Sequence, residues 1–126
     1  MILVVDDDPQ FLDEVKAALT PASERGVFFA GDARQALALM HQLGSAVSLA
    51  MIDLDLPGID GFALITRMRE SFPNVPVIAI SGVIRSAALE SARAFGATEV
   101  LSKPISTEWT AAIERVRRLD NHRHVN

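Results

Sequence analysis

The chain has 126 residues, which predicts a single domain able to bury about two-thirds of the surface that its unfolded form exposes. Apolar residues make up 49% and charged residues 22%, as in an ordinary soluble globular domain, and the net charge of −4 gives no electrostatic reason to bind nucleic acid. Cysteine is absent, which excludes disulfides, thiolate metal sites and thiol catalysis. With no apolar run near the ~20 residues of a membrane span and no signal peptide, we expect a cytoplasmic protein.

Five short apolar runs predict β-strands. Four of them are unbroken, which is typical of strands buried on both faces in a parallel sheet. The fifth is the weakest, because it is short and follows Glu99. The runs are residues 2–5, 27–30, 49–52, 77–80 and 100–101.

Helical spacing of apolar residues between these runs predicts five α-helices. Pro9 suits the first turn of a helix, and Asp32 and Thr107 are candidate N-caps. Gly96 is a candidate residue just beyond a helix C-terminus. The apolar stripes are Phe11, Val15, Ala18 and Leu19; Leu37, Met40 and Leu43; Gly61, Ile65, Met68 and Phe72; Ala88, Ala92 and Phe95; and Trp109, Ala112, Ile113 and Val116.

The strand and helix signals alternate five times along the chain. This order predicts a doubly wound α/β fold, with a parallel sheet, right-handed crossovers and helices on both faces. Residues 1–119 form the predicted domain. Residues 120–126 are polar and without periodicity, and they are expected to be a frayed C-terminal tail or the start of a linker.

The carboxyl ends of the predicted strands carry the polar residues expected of a ligand site. Carboxylates that converge at one edge repel each other, and binding a hard cation such as Mg²⁺ relieves that repulsion. An ammonium and a hydroxyl at the same edge suit the oxygens of a phosphoryl group. The set therefore predicts a phosphoryl-transfer site with an aspartate nucleophile. Its members are Asp6 and Asp7 after the first strand, Asp53 after the third, Ser81 after the fourth and Lys103 after the fifth.

Each of these residues also has a purely structural interpretation. Residues 6–8 could simply cap the first helix, and Ser81-Gly82 could be an ordinary turn. Lys103 could be a solvated lysine. Pro57-Gly58 is a turn on either interpretation. Asp60 is a candidate N-cap of the third helix on either interpretation. The functional interpretation depends on four separate strand ends that supply complementary groups.

Taken together, these motifs resemble the receiver domain of response regulators in two-component signalling, a CheY-like superfamily. The resemblance covers the chain from residue 2 to about the end of the last helix. It implies a (βα)₅ three-layer sandwich of the flavodoxin-like type, with strand order 2-1-3-4-5. The matching segments are residues 2–9, 52–61, 80–82, 95–97 and 103–104.

The resemblance implies a role for each position at the metal end of the site. Asp53 matches the phosphoacceptor and is expected to bind Mg²⁺ directly together with Asp7. Asp6 is expected to act on the metal through water, and the backbone carbonyl of Asp55 to complete the protein ligands.

It also implies roles at the phosphoryl end. Ser81 matches the hydroxyl residue that moves to the phosphoryl group on activation, and Lys103 matches the lysine that pairs with a phosphoryl oxygen. The Lys103-Pro104 bond is expected to be cis, a state found in only about 5–6% of X–Pro bonds.

Two positions depart from the pattern of the family. Val100 stands where relatives usually have Tyr or Phe, so the ring that follows the moving hydroxyl is missing, and we expect phosphorylation with an altered readout. Asp55 carries an acid where relatives often have a neutral side chain. The sign of its effect on phosphoryl lifetime does not follow from the sequence.

The function implied is that of a phosphoacceptor, not of a turnover enzyme, although the domain would catalyse its own aspartyl phosphorylation and dephosphorylation. The implied donor is a phosphohistidine on a histidine kinase or histidine phosphotransfer protein. The implied output is a downstream protein that binds the face formed by the fourth helix, fifth strand and fifth helix, with no nucleic acid or membrane insertion.

Two alternatives remain open. Asp53-Leu54-Asp55 also fits the nucleophile motif of haloacid-dehalogenase-type phosphatases, although that motif normally ends the first strand. A receiver-like module that binds a partner without phosphorylation is the other. Val100 keeps it open, whereas the filled acid, hydroxyl and lysine positions argue against it. Trp109 and His41 are interpreted as a packing residue and a surface residue, and a metal site at His122 and His124 is disfavoured because no third ligand is fixed nearby.

Overall fold

The computed structural model describes residues 1–19, 26–56, 61–82 and 86–125, with 86–90 and 119–125 described by their backbone alone. Five strands alternate with five α-helices over these residues. A short 3₁₀ turn, Gly44–Ala46, follows the second helix. The elements are β1 Ile2–Val5, α1 Pro9–Leu19, β2 Val27–Ala30, α2 Ala33–Leu43, β3 Leu49–Asp53, α3 Gly61–Ser71, β4 Val77–Ser81, α4 Ser86–Phe95, β5 Glu99–Ser102 and α5 Thr107–Val125.

The strands form one parallel sheet in the order β2-β1-β3-β4-β5, so the predicted fold class and strand order are confirmed. The order reverses between β1 and β3, which lie side by side with Val5 opposite Ile52. This reversal is where ligands bind in open α/β sheets, because the loops that leave the two strands separate there.

The sheet separates two apolar cores, because successive side chains of a strand point to opposite faces. On β1, Leu3 and Val5 enter the core shared with α2, α3 and α4. Ile2 and Val4 enter the core shared with α1 and α5. The result is the predicted three-layer sandwich.

Three expectations about burial are wrong. Phe28 is 37% exposed, because β2 lies at the edge of the sheet and is not covered on both faces. Phe95 is 48% exposed; it is the last residue of α4, and its ring is tilted against that of Phe62 at 5.4 Å. Ala18 is exposed because it falls about 60° from the centre of the α1 stripe at roughly 100° per residue. The buried face predicted for α5 is confirmed.

The helix ends follow the predicted signals with one exception. Asp32 caps α2 by accepting a hydrogen bond from the Gln35 backbone N–H at 2.8 Å. Gly96, at φ +118°, follows α4 as expected. The exception is Thr107, which begins α5 but does not cap it. The Ser106 hydroxyl accepts from the Glu108 N–H at 3.3 Å instead.

The polar C-terminal segment has a helical backbone. Helix α5 runs to Val125, and no glycine or proline interrupts it. Whether residues 120–126 are a frayed tail or the start of a linker stays a prediction. No helix in the described ranges is long and apolar enough to cross a membrane. Pro57-Gly58, Asp60 and the side chains of Ala88, His122 and His124 lie outside the described residues.

Candidate functional site

The reversal of strand order brings the acids after β1 and β3 together. Asp6 is fully buried and Asp53 is 4% exposed, while Asp7 is exposed at the mouth. Oxygen atoms from these three carboxylates lie within 4.8 Å of one another. The convergence predicted from the strand ends is therefore present.

Backbone N–H groups orient the two buried carboxylates. Asp6 Oδ1 accepts from the Asp8 N–H at 2.9 Å, and Asp53 Oδ1 accepts from the Asp55 N–H at 3.0 Å. In each case the carboxylate accepts from the backbone N–H two residues further along the chain, which forms a local turn. No residue from a distant part of the chain is needed to orient it. Asp8 itself caps α1, because its carboxylate accepts from the Gln10 N–H. The structural interpretation of the acidic run thus holds for Asp8 and not for Asp6 or Asp7.

Lys103 closes the opposite side of the acidic pocket. Its Nζ lies 2.8 Å from Asp6 Oδ2 and 3.6 Å from Asp53 Oδ2. Its backbone N–H donates to the Ser81 carbonyl at 2.9 Å, which fixes the loop after β5 beside the end of β4. The Lys103-Pro104 bond is cis, as the resemblance implies.

Two aromatic rings, those of Phe11 and Trp109, pack beneath Lys103. The sequence identified both residues only as members of apolar stripes. The ammonium of Lys103 lies over the ring of Phe11, 4.3 Å from its centroid. The edge of Trp109 packs on Phe11, with centroids 5.6 Å apart and ring planes at 63°. Trp109 Nε1 donates to the Ser102 carbonyl at 3.0 Å. Both rings are buried, so the packing role expected for Trp109 is confirmed. No sequence signal identified the contact with Lys103.

Gly61 is a second residue whose importance the sequence did not reveal. A Cβ at this position would meet the carbonyl oxygen of Asp53 and would lie 2.5 Å from Leu54 Cα. The Gly61 N–H donates to the Leu54 carbonyl at 3.3 Å. Helix α3 therefore starts in direct backbone contact with the strand end that carries Asp53, which only glycine permits.

The electrostatics of the pocket push Asp53 toward its neutral form. Burial raises the pKa of Asp53 above its ordinary value of 3.8, and the charge of Asp6 raises it further. The Asp55 N–H and Lys103 oppose this without reversing it. Burial alone would lower the pKa of Lys103, but its hydrogen bond to Asp6 and the charge of Asp53 raise it, so the ammonium stays charged.

The carboxylate set fits a hard divalent cation. All three groups offer oxygen atoms, which Mg²⁺ prefers, and Asp7 at the exposed mouth leaves room for its retained waters. Asp6 Oδ2 is buried, and the ammonium of Lys103, 2.8 Å away, offsets only part of the cost of burying its charge. A cation beside it would relieve that cost.

The remaining predicted residues lie in different parts of the fold. Ser81 ends β4, is 6% exposed and pairs in register with Ser102 of β5. Asp55 is exposed beyond Asp53. Val100 is partly buried against the core shared with α2, α3 and α4. His41 is on the surface, as expected, and its ring packs edge-on against Phe72.

Comparison with known proteins gives one family. Residues 2–114 match the family model described as the response regulator receiver domain. The curated response regulator GtcR of Aneurinibacillus migulanus is 34% identical over 105 residues, and the transcriptional regulatory protein AruR of Pseudomonas aeruginosa is 36% identical over 114. Each alignment covers 83% of this chain but only 42% and 43% of those proteins, so the chain spans less than half of their length.

The fold has a solved counterpart of the same size. The crystal structure of the receiver domain of NtrX from Brucella abortus superposes with a TM-score of 0.84 at 31% identity. The match covers 94% of this chain and 98% of that domain.

Proposed function

Because the chain belongs to the response-regulator receiver-domain family, we propose that Asp53 accepts a phosphoryl group from a phosphohistidine on a histidine kinase or histidine phosphotransfer protein. The observation that carries the proposal is the convergence of Asp53 with Asp6, Asp7 and Lys103 at the strand-order reversal. Receiver domains are in general not turnover enzymes. In this proposal the domain catalyses only its own phosphorylation and dephosphorylation.

The transfer is an in-line displacement. A carboxylate oxygen of Asp53 forms the new bond to phosphorus while the bond from phosphorus to the donor imidazole breaks. The Asp55 N–H holds the other side of the Asp53 carboxylate, which limits its rotation during attack. Lys103, already 3.6 Å from Asp53, pairs with an oxygen of the transferred group.

Bound Mg²⁺ would neutralise charge on the phosphoryl oxygens and on the acids. Asp7 and Asp53 are the proposed direct ligands, with Asp6 acting through water and the Asp55 carbonyl completing the set. Ser81 is proposed to donate its hydroxyl to a phosphoryl oxygen, which would bring the end of β4 toward Asp53. The chain's own contribution is to hold these groups at one edge before the donor arrives.

The proposed readout is a change at the α4-β5-α5 face that a downstream protein recognises. Val100 lies on β5 within this face and lacks the ring that usually follows the serine. We therefore propose a response carried mainly by α4. AruR is named as a transcriptional regulator, which supports an output in gene control and a cytoplasmic location for any longer protein that contains this domain.

The test is incubation with acetyl phosphate and Mg²⁺, followed by intact mass and peptide mapping. We expect one phosphoryl group on Asp53, none without Mg²⁺, and none in Asp53→Asn. Glu70→Gln, which removes an exposed acid on α3, should behave as the unsubstituted protein. Failure of the unsubstituted protein to be labelled, and to respond to beryllofluoride with Mg²⁺, would favour a module that only binds a partner. Multiple turnover of a simple phosphate ester would instead revive the phosphatase alternative.

A further inference from the structure

The contact between Phe11 and Lys103 connects the apolar core to the polar site. Phe11 is 4% exposed and its ring face lies under the ammonium, 4.3 Å from centroid to Nζ. We propose that Phe11, held in place by Trp109, is a positioning residue that keeps Lys103 aimed at Asp53 while the carboxylates are occupied. This inference rests on the proposed phosphoryl transfer.

The need for such a residue follows from the other contacts of the lysine. Without a metal, Nζ is held by Asp6 and Asp53. Both are groups that a cation and a phosphoryl group would occupy during transfer. A lysine side chain has four flexible carbons, so an ammonium that loses its carboxylate partners would spread over many rotamers.

An aromatic face can retain the ammonium without interfering. It attracts a cation through its quadrupole, and the attraction is stronger where water is largely excluded. Unlike a further carboxylate, it neither competes for the metal nor repels the incoming phosphoryl oxygens. Phe11 is therefore chemically suited to hold Lys103 in both states of the site.

Trp109 fixes this arrangement at two points. Its edge packs on Phe11, which sets the position of the ring, and its Nε1 holds the carbonyl of Ser102, the residue before Lys103. One buried side chain thus sets both the aromatic surface and the backbone from which the lysine extends. Helices α1 and α5, which are distant in sequence, are coupled to the site through this contact.

The test replaces Phe11 with phenylalanines that carry one, two and three ring fluorines. Fluorination weakens the negative face of the ring with little change of shape, so a purely structural role predicts a constant rate. We expect the rate constant for phosphorylation by acetyl phosphate to fall stepwise, to about one-fifth with three fluorines. That factor corresponds to about 1 kcal/mol at roughly 1.4 kcal/mol per tenfold. Affinity for Mg²⁺ alone should change less than twofold, because the metal's carboxylates are untouched.

Two measurements keep the outcome decisive. The same fluorinated residues at Phe72, which packs against His41 on the surface, should leave the rate unchanged. In NMR spectra, the ε-methylene protons of Lys103 should be shifted upfield by the ring in the unsubstituted protein and should lose that shift in Phe11→Leu. This second measurement needs no phosphorylation.

Each result has a distinct meaning. A stepwise fall at Phe11 with a flat series at Phe72 supports the positioning role. A normal rate in the unsubstituted protein with a flat series at Phe11, or with no ring shift at Lys103, overturns that role and leaves the proposed function intact. No phosphorylation of the unsubstituted protein overturns the proposed function, and the positioning role with it.

Discussion

The balance of charge in the acidic pocket makes the substitution Asp53→Asn informative about stability as well as activity. The amide oxygen can still accept from the Asp55 N–H, while the amide NH₂ replaces the charged oxygen that faces Lys103. Two unit charges 4.8 Å apart, the outer limit for these carboxylate oxygens, repel by about 3.5 kcal/mol at an effective dielectric of about 20. The attraction from Lys103 at 3.6 Å is about 4.6 kcal/mol by the same formula.

The repulsion is a lower limit, because 4.8 Å is the largest separation of these oxygens, so it is comparable with the attraction and the burial of Asp53 decides the sign. The effective cost of burying an ion is several kcal/mol, but the Asp55 N–H and water at the pocket mouth offset part of it. We therefore expect metal-free Asp53→Asn to be more stable at pH 7 by about 1–2 kcal/mol. For a chain of this length that is a rise in melting temperature of about 4 °C per kcal/mol.

The pH dependence gives a sharper check. Because the pKa of Asp53 is raised in the folded state, the folded protein holds the proton more tightly than the unfolded chain does. The stabilisation from this group is complete below its ordinary pKa of 3.8 and is lost as the pH rises through the raised value. The greater stability of Asp53→Asn should therefore develop as the pH rises from 3.8 through the raised pKa of Asp53, and it should vanish below pH 3.8.

Urea unfolding at several pH values, with and without Mg²⁺, measures all of these effects. At ten times its dissociation constant, Mg²⁺ should stabilise the unsubstituted protein by about 1.4 kcal/mol and Asp53→Asn by much less. Glu70→Gln has the same change in net charge on an exposed site and should show neither effect. The reasoning is refuted if metal-free Asp53→Asn is no more stable at pH 7, or if Mg²⁺ stabilises both proteins equally.

Three further outcomes are expected. Gly61→Ala should cost about 1–3 kcal/mol in urea unfolding, because its Cβ meets backbone atoms, whereas Gly82→Ala, which has open space, should cost much less. Loss of the ion pair between Arg115 and Glu99 in Arg115→Ala should cost about 0.5 kcal/mol or less, and high salt should erase the difference, since the pair is exposed. A beryllofluoride-bound structure should show α4 moved with the surroundings of Val100 unchanged; no change anywhere would contradict the altered readout.

Much of the fold was predictable because its signals are local. Apolar runs and helical stripes located the five strands and five α-helices that the structure describes, and Asp32 and Gly96 marked helix ends through short-range hydrogen bonding and backbone conformation. The errors arose where burial depends on neighbours. Phe28 is part of an apolar run like any central strand, but its position at the sheet edge leaves it exposed.

The sequence by itself determined the members of the acidic pocket, because parallel strands bring their carboxyl ends to one edge whatever the details of packing. Tertiary structure alone decided how those members are held. The ring of Phe11 lies under Lys103, and Gly61 lies against the backbone of Asp53, through contacts between elements far apart in the chain. Such contacts depend on helix position and rotation over the sheet, and no local periodicity specifies either.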